Sequence, residues 1–201
     1  MNTAQQIMQS DDFKRCVAFH GHSCGGLAIG YMAATAGLAW LKEKRALDEE
    51  LVAVVETDAC CVDAVQVLTG CTLGKGNLIY KDYGKMAFTF FNRRTGQGVR
   101  LAMKPDTFRV NDRQIELFKK TRKGNITEAE QAELTTLGAQ RTAEVLNAKA
   151  ADLFSMTPVT SGMPDKARIE SSQPCSRCGE PTMASKLENV AGNPVCRGCL
   201  A

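Results

Sequence analysis

A chain of 201 residues has room for one ordinary core and a small appendage, which excludes two full-sized domains. Hydrophobic residues at 44% and charged residues at 23% exclude a disordered or collagen-like polymer. Its 25 basic and 22 acidic residues give a net +3 and mix along the chain, so no single-sign field draws it to nucleic acid or to an anionic membrane.

The opening residues Met1 to Asp12 are polar, with Gln5, Gln6 and Gln9, and carry no export signal, so the expected compartment is the cytoplasm. In that reducing setting nine cysteines point to metals or thiol chemistry rather than to disulfides. A helical pattern runs from Thr3 through Val17 and gives way at His20-Gly21-His22. A second helix begins after Gly25-Gly26 and reaches about Arg45. The apolar stretch Gly25 to Leu41 is broken by Gly30, Thr35 and Gly37, which suits a buried helix and not a membrane span.

Leu51 to Thr57 is a continuous β-branched run, predicted as a strand buried on both faces. Asp58 is placed to cap a helix from Cys60 to Leu68 that stops at Gly70. Three strands follow, Leu78–Tyr80, Lys85–Phe91 and Val99–Met103, and their spacing suggests a meander. Asp112 to Lys120 is the next helix. Thr127 with Glu130 forms a capping box for a longer one to about Ala148. The core is expected over residues 1–154. Residues 155–172, with Pro158, Gly162 and Pro164, are expected as linker and 173–201 as a separate module.

That module carries Cys175-x2-Cys178 and Cys196-x2-Cys199, separated by 17 residues, the spacing by which two knuckles hand four thiolates to one tetrahedral ion. With few sizeable apolar side chains, such as Leu187, Val190 and Val195, metal binding must supply its folding energy, and four thiolates leave no position for substrate. Structural zinc is the expected ion, and a rubredoxin-type iron is the competitor. Only Arg177, Lys186 and Arg197 are basic there and no aromatic residue is present, so nucleic acid is not the expected partner.

In the core, Phe19-His20-Gly21-His22-Ser23-Cys24 puts both histidines of the chain and a thiol within five residues. Imidazole with thiolate suits zinc, iron or nickel, and unpaired amides at the start of the following helix favour a thiolate at Cys24. A second cluster, Glu56 to Asp63 with Cys60 and Cys61, lies where a buried strand gives way to a helix, a common ligand position. If the two segments face each other, His22, Cys24 and Cys60 make a three-ligand site with an open position. Glu56, Asp58 and Asp63 are then capping carboxylates or supports for a bound imidazole. Cys16 and Cys61 are expected to be packing residues. The third cluster is Cys71 with Lys75. Gly70 to Gly76 lacks the spacing of a phosphate loop, but Lys75 could still meet an anionic cofactor.

The segments Phe19–Cys24, Gly26-Leu-Ala-Ile-Gly30, Glu56–Cys60 and Val62 through Leu78 together resemble the FmdE-like family of formylmethanofuran dehydrogenase proteins, and the likeness covers about Phe13 to Phe108. The cysteine-rich end is similar to the treble-clef or zinc-ribbon finger that some members append. The resemblance implies an α+β core with a mixed sheet flanked by helices, thioredoxin-like in outline, a homodimer, and a metal site at His20, His22, Cys24 and Cys60. It also implies an association with molybdenum or tungsten oxidoreductases. The family's proline after the motif cysteine is replaced here by Gly25. The leading expectation is a zinc-binding accessory protein. The alternatives are a stand-alone thiol- or metal-dependent enzyme using Cys24 or Cys60 with His22 as base, and a metal carrier.

Overall fold

The computed structural model describes residues 3–200, which divide into two units between Lys166 and Ala167. Thr3 opens helix α1 (Ala4–Gln9) with a capping box to Gln6, and Ser10 closes it. Ser10 is extended, and its hydroxyl accepts the Phe13 N–H at 3.3 Å to start α2 (Asp11–His20). The single helix expected from Thr3 is therefore two, because a serine side chain competes for the backbone donors of the next turn. Gly21, in the left-handed region at φ 92°, ends α2, and Cys24 caps α3 (Gly25–Leu41). Strand β1 (Leu51–Val55) is buried throughout, and α4 (Cys61–Thr69) stops at Gly70. Asp58 does not cap α4; Cys60 occupies that position with no side-chain cap.

Strands β2 (Leu78–Tyr80), β3 (Ala87–Asn92) and β4 (Gly98–Met103) lead into α5 (Asp112–Arg122), α6 (Glu128–Asn147) with its Thr127–Glu130 capping box, α7 (Ala150–Leu153) and β5 (Phe154–Val159). The sheet order is β2-β1-β3-β4-β5. β2 runs parallel to β1, with Ala53 opposite Leu78, while every other pairing is antiparallel. The expected meander is thus corrected at its first strand. α4 carries the chain back to the far side of β1, whose apolar residues on both faces need a neighbour on each edge.

The expected linker also begins late. Residues 155–159 belong to β5, which pairs with β4 from Phe154 opposite Met103 to Val159 opposite Gly98. Pro158 is tolerated because this is an edge strand, and the serine- and proline-rich composition hid the inward alternation of Phe154 and Met156.

One face of the sheet, carrying Leu51, Ala53, Val55, Phe88 and Phe90, joins the main core with α3, α4 and α6. The opposite face holds a smaller cluster of Val52, Val54 and Phe91. On that face Glu56 is buried and accepts two hydrogen bonds from Arg100, at 2.8 and 2.9 Å. This fork holds the Glu56 carboxyl below the usual carboxylate range. α3 packs unusually close to its neighbours. A Cβ on Gly30 would lie 2.0 Å from the Cys61 carbonyl oxygen, and one on Gly37 would lie 2.2 Å from the Phe90 ring. Among the described residues no helix is long and apolar enough to cross a membrane.

In the second unit, β6 (Ser172–Pro174) pairs with β7 (Pro181–Met183) and β8 (Leu187–Val190) pairs with β9 (Asn193–Cys196). Short 3-10 turns at Ala184–Lys186 and Arg197–Cys199 complete it. The chain is an α+β core with a mixed sheet, followed by a four-cysteine unit that fits a zinc ribbon.

Gly30→Ala should cost about 3 kcal/mol, since backbone and not a flexible side-chain end meets the new methyl. A chemical-denaturation midpoint equal to wild type would show that α3 and α4 can part freely. Arg100→Met should cost about 2 kcal/mol at neutral pH, less than for a fully enclosed pair because the Arg100 side chain is 36% exposed. The folded Glu56 value is depressed, so the pair's contribution is complete above the unfolded carboxylate range and lost as pH falls through the folded value. The gap between wild type and variant should therefore close on acidification below about pH 4. A gap that persists at acid pH would assign the loss to packing of the arginine stem.

Candidate metal centre

Three elements converge at the start of α3. Cys24 is extended, and its Sγ accepts the Leu27 N–H at 3.3 Å, so the thiol serves as helix cap and faces the gap toward α4. Cys60 heads α4 directly opposite. Gly26 lies between them: a Cβ there would stand 3.1 Å from Cys60 Cβ and 3.8 Å from Cys24 Sγ. His20, in the last turn of α2, completes the group. Its donor atom and the two sulfurs all lie within 4.8 Å of one another, with Cys24 Sγ 3.9 Å from His20 Nε2.

Asp63, on the first turn of α4, holds the other imidazole nitrogen, with Oδ2 2.7 Å from His20 Nδ1. With the Nδ1 proton donated to this carboxylate, an assignment made from the partners, the Nε2 lone pair is directed at the thiols. This carboxylate–imidazole arrangement fixes the tautomer and ring orientation of a metal-ligating histidine. Burial, and then the neighbouring Cys24 sulfur, push the Cys60 thiol up. Two sulfurs beside a directed imidazole, all within 4.8 Å of one another, form a donor set that a divalent cation would satisfy. Two sulfurs and one nitrogen also leave one tetrahedral position for another ligand.

The expected triad is corrected in one member. His20, not His22, joins Cys24 and Cys60. α2 runs through His20 and presents its ring toward α4, while Gly21 turns the chain and leaves His22 exposed. The His22 ring centroid lies 4.5 Å from that of His20, and His22 lines the larger of the two clefts beside the group instead of joining the donor atoms. Lys75 is not drawn into the site. Its ammonium donates to the Asp48 carbonyl at 3.0 Å, in a loop anchored by buried Asn77, which donates to the Asp48 and Leu51 carbonyls. Glu56 belongs to the Arg100 pair on the other face of the sheet. Cys61 and Cys16 are buried, with thiols pushed up by burial to about 12 and about 11, as packing cysteines should be. Cys71 is buried as well.

Two clefts adjoin the group. One of about 450 Å³ is lined by His20, Cys60, Asp63 and the β1–α4 connection. The other, of about 590 Å³, is lined by Cys24, Gly25 and Gly26 together with α5 and α6. Phe108 and Arg141, which form part of its wall, carried no sequence signal. Their packing explains Gly25: a Cβ there would lie 3.1 Å from Phe108 Cζ and 3.3 Å from Arg141 Cγ.

In the second unit the four sulfurs of Cys175, Cys178, Cys196 and Cys199 also lie within 4.8 Å of one another. Cys175 Sγ accepts backbone N–H groups from Cys196 at 3.3 Å and Arg177 at 3.4 Å. Donation by the Cys196 N–H is the main reason its thiol is drawn down to about 6, whereas the adjacent Cys196 sulfur pushes Cys199 up to about 12. Four sulfurs at this range cannot all ionise without a cation among them, which is the donor chemistry of a closed tetrahedral site.

Residues 19–155 match the family described as FmdE, molybdenum formylmethanofuran dehydrogenase operon. A protein of Archaeoglobus fulgidus named probable S-adenosyl-L-methionine-binding protein is 30% identical in an alignment of 184 residues that covers 87% of this chain; the chain spans about half the length of that relative. The crystal structure of an FmdE-like protein of tungsten formylmethanofuran dehydrogenase type, from Syntrophus aciditrophicus, superposes with a TM-score of 0.62. It is 23% identical and covers 98% of this chain and 92% of its own, a likeness of fold.

Proposed function

The chain belongs to the FmdE family, and from that premise we propose that it is a metal-binding accessory protein of a molybdenum- or tungsten-type oxidoreductase system, with one exchangeable and one structural zinc site. His20, Cys24 and Cys60 are the residues that would hold the core ion, and Cys175, Cys178, Cys196 and Cys199 the structural one. The observation that carries the reading is the Asp63–His20 contact, which spends one imidazole nitrogen on a carboxylate and aims the other at two sulfurs. A histidine that merely filled space would need no such orientation.

When bound, such an ion supplies Lewis-acid polarisation to a ligand in its remaining position. The chain's own groups supply the rest. Asp63 fixes the imidazole, the Leu27 N–H fixes the Cys24 sulfur, and the two clefts give access from either side. The raised Cys60 thiol weighs against its use as a nucleophile without metal, because it is protonated at neutral pH. The partner is proposed to be a component of the oxidoreductase, on the strength of the operon in the family's description.

Metal analysis by mass spectrometry tests the assignment. Wild type should carry two ions per chain, and His20→Ala and Cys24→Ser one each. His22→Ala should still carry two. Asp63→Asn should keep both at saturation but bind the core ion about 10- to 100-fold more weakly. Equal stoichiometry and affinity across the series would remove the core site. Cys178→Ser should instead lose the ion of the second unit, together with amide-exchange protection confined to residues 167–200.

A second reading is S-adenosyl-L-methionine binding, favoured by the name of the Archaeoglobus relative and by a cleft of about 590 Å³, within the range of small-molecule pockets. Equilibrium dialysis of the metal-loaded chain should retain the labelled compound, and Leu134→Trp in the cleft wall should abolish retention. No retention at millimolar ligand would end this reading.

A further inference from the structure

The larger cleft is more than an entrance to the metal centre. Its walls are mainly apolar, with Phe108, Val110, Phe118 and Leu134 facing the space, and Phe118 is 48% exposed. Such a surface suits an apolar body. Against this background one cation stands out. The Arg141 guanidinium lies over the Phe108 ring, 4.2 Å from its centroid, and Nη1 donates to Glu144 at 3.2 Å. Arg141 Nε and Nη2 are withdrawn from solvent and have no hydrogen-bond partner. Among the described residues the other buried side-chain nitrogen in that condition is Arg93 Nε. Buried donors are ordinarily satisfied, so two orphans on one guanidinium in a cavity wall call for an acceptor that the protein does not provide.

The surroundings favour an anion as that acceptor. Arg141 Cγ comes within 3.3 Å of the position a Gly25 Cβ would occupy, so the guanidinium stem abuts the first turn of α3. The Gly25 and Gly26 N–H groups open this 17-residue helix and have no intrahelical acceptor. The side chain that would screen them is missing at Gly25. Glu144 offsets part of the arginine charge, so the balance suits one negative charge rather than a doubly charged phosphate. Gly25 and Gly26 are also the residues that follow Cys24, so an anion held here lies beside the metal-ligand group.

We propose that this cleft binds an amphiphilic monocarboxylate, its carboxylate held by Arg141 and the first amides of α3 and its apolar body packed against Phe108, Phe118 and Leu134. Planar guanidinium suits a carboxylate through two parallel donors, and Nε with Nη2 form such an edge, which binding would draw from its packed position over Phe108 into the cleft. The inference rests on the metal-site reading in one respect: the end of the ligand nearest Cys24 is the part offered to the open coordination position.

Isothermal titration of the full metal-loaded chain with 4-phenylbutyrate, 4-phenylbutanol and 4-phenylbutylamine tests it, with inorganic phosphate as an anion lacking an apolar body. Phenylbutyrate should bind at least tenfold more tightly than the alcohol and the amine, and phosphate should not compete. Arg141→Gln should remove the advantage of the carboxylate over the alcohol while leaving the alcohol's affinity unchanged. Leu134→Trp, which fills the cleft from α6, should weaken all three, and thermal unfolding checks that both variants fold. Equal affinity for acid and alcohol in wild type, an unchanged acid in Arg141→Gln, or unaltered binding in Leu134→Trp would each overturn the proposal. If either variant fails to fold, wild-type selectivity and protection of Phe108 and Phe118 in ligand-difference NMR decide the matter. Metal content measured on the same samples keeps the two readings apart. One ion per chain with intact arginine-dependent binding would leave the carboxylate site standing and remove the core metal; two ions without carboxylate preference would do the reverse.

Discussion

The core depends on the backbone-to-backbone contact of α3 with α4. Gly30 has no space for a methyl against the Cys61 carbonyl, and four residues earlier Gly26 faces the Cys60 side chain, whose Cβ would lie 3.1 Å from an added methyl. The two glycines share one face of α3, so both close approaches follow from a single line of contact. That contact sets the separation between the Cys24 and Cys60 sulfurs, which belong to the capping residues of two different helices. Each caps a helix that packs one face into the main core, and that packing fixes where the donor atoms lie.

The two cysteine-bearing sites follow opposite physical logic. In the core, burial against a large apolar cluster supplies the rigidity, and the cation would add to a structure already specified. In the second unit two short hairpins and two 3-10 turns surround four sulfurs, with Cys175 and Val195 its buried apolar side chains among the described residues. There the cation would replace a core. The donor counts agree with this division: four thiolates close the coordination sphere, while two thiols and an imidazole leave it open.

Much of the fold could be read from local chemistry. The Thr127–Glu130 capping box, the β-branched run of β1 and the glycine stop at Gly70 are signals in which a few adjacent residues decide a backbone conformation, and each appears where expected. Ser10 and β5 show the limits of such reading. A serine inside a helical pattern can be an interior residue or a double cap, and Ser155–Val159 has the composition of a linker until a partner strand satisfies its backbone. The parallel placement of β2 depends on the direction of a whole crossover, which no local pattern records.

The site divides in the same way. Sequence alone determined which residue types could do chemistry here: two Cys-x2-Cys pairs at ligand spacing, two histidines beside a cysteine, and a carboxylate-rich strand end. Donor identity and short-range spacing are local properties of a chain. Only the tertiary structure decided that His20 and not His22 turns inward, that Asp63 is its support, that Lys75 anchors a loop, and that Phe108 and Arg141 wall a cleft beside Cys24. Those outcomes depend on where α2 ends relative to α4 and on how α6 crosses α3. They are set by packing between elements distant in sequence, where a one-residue change in helix length would turn His20 by about 100° away from the group.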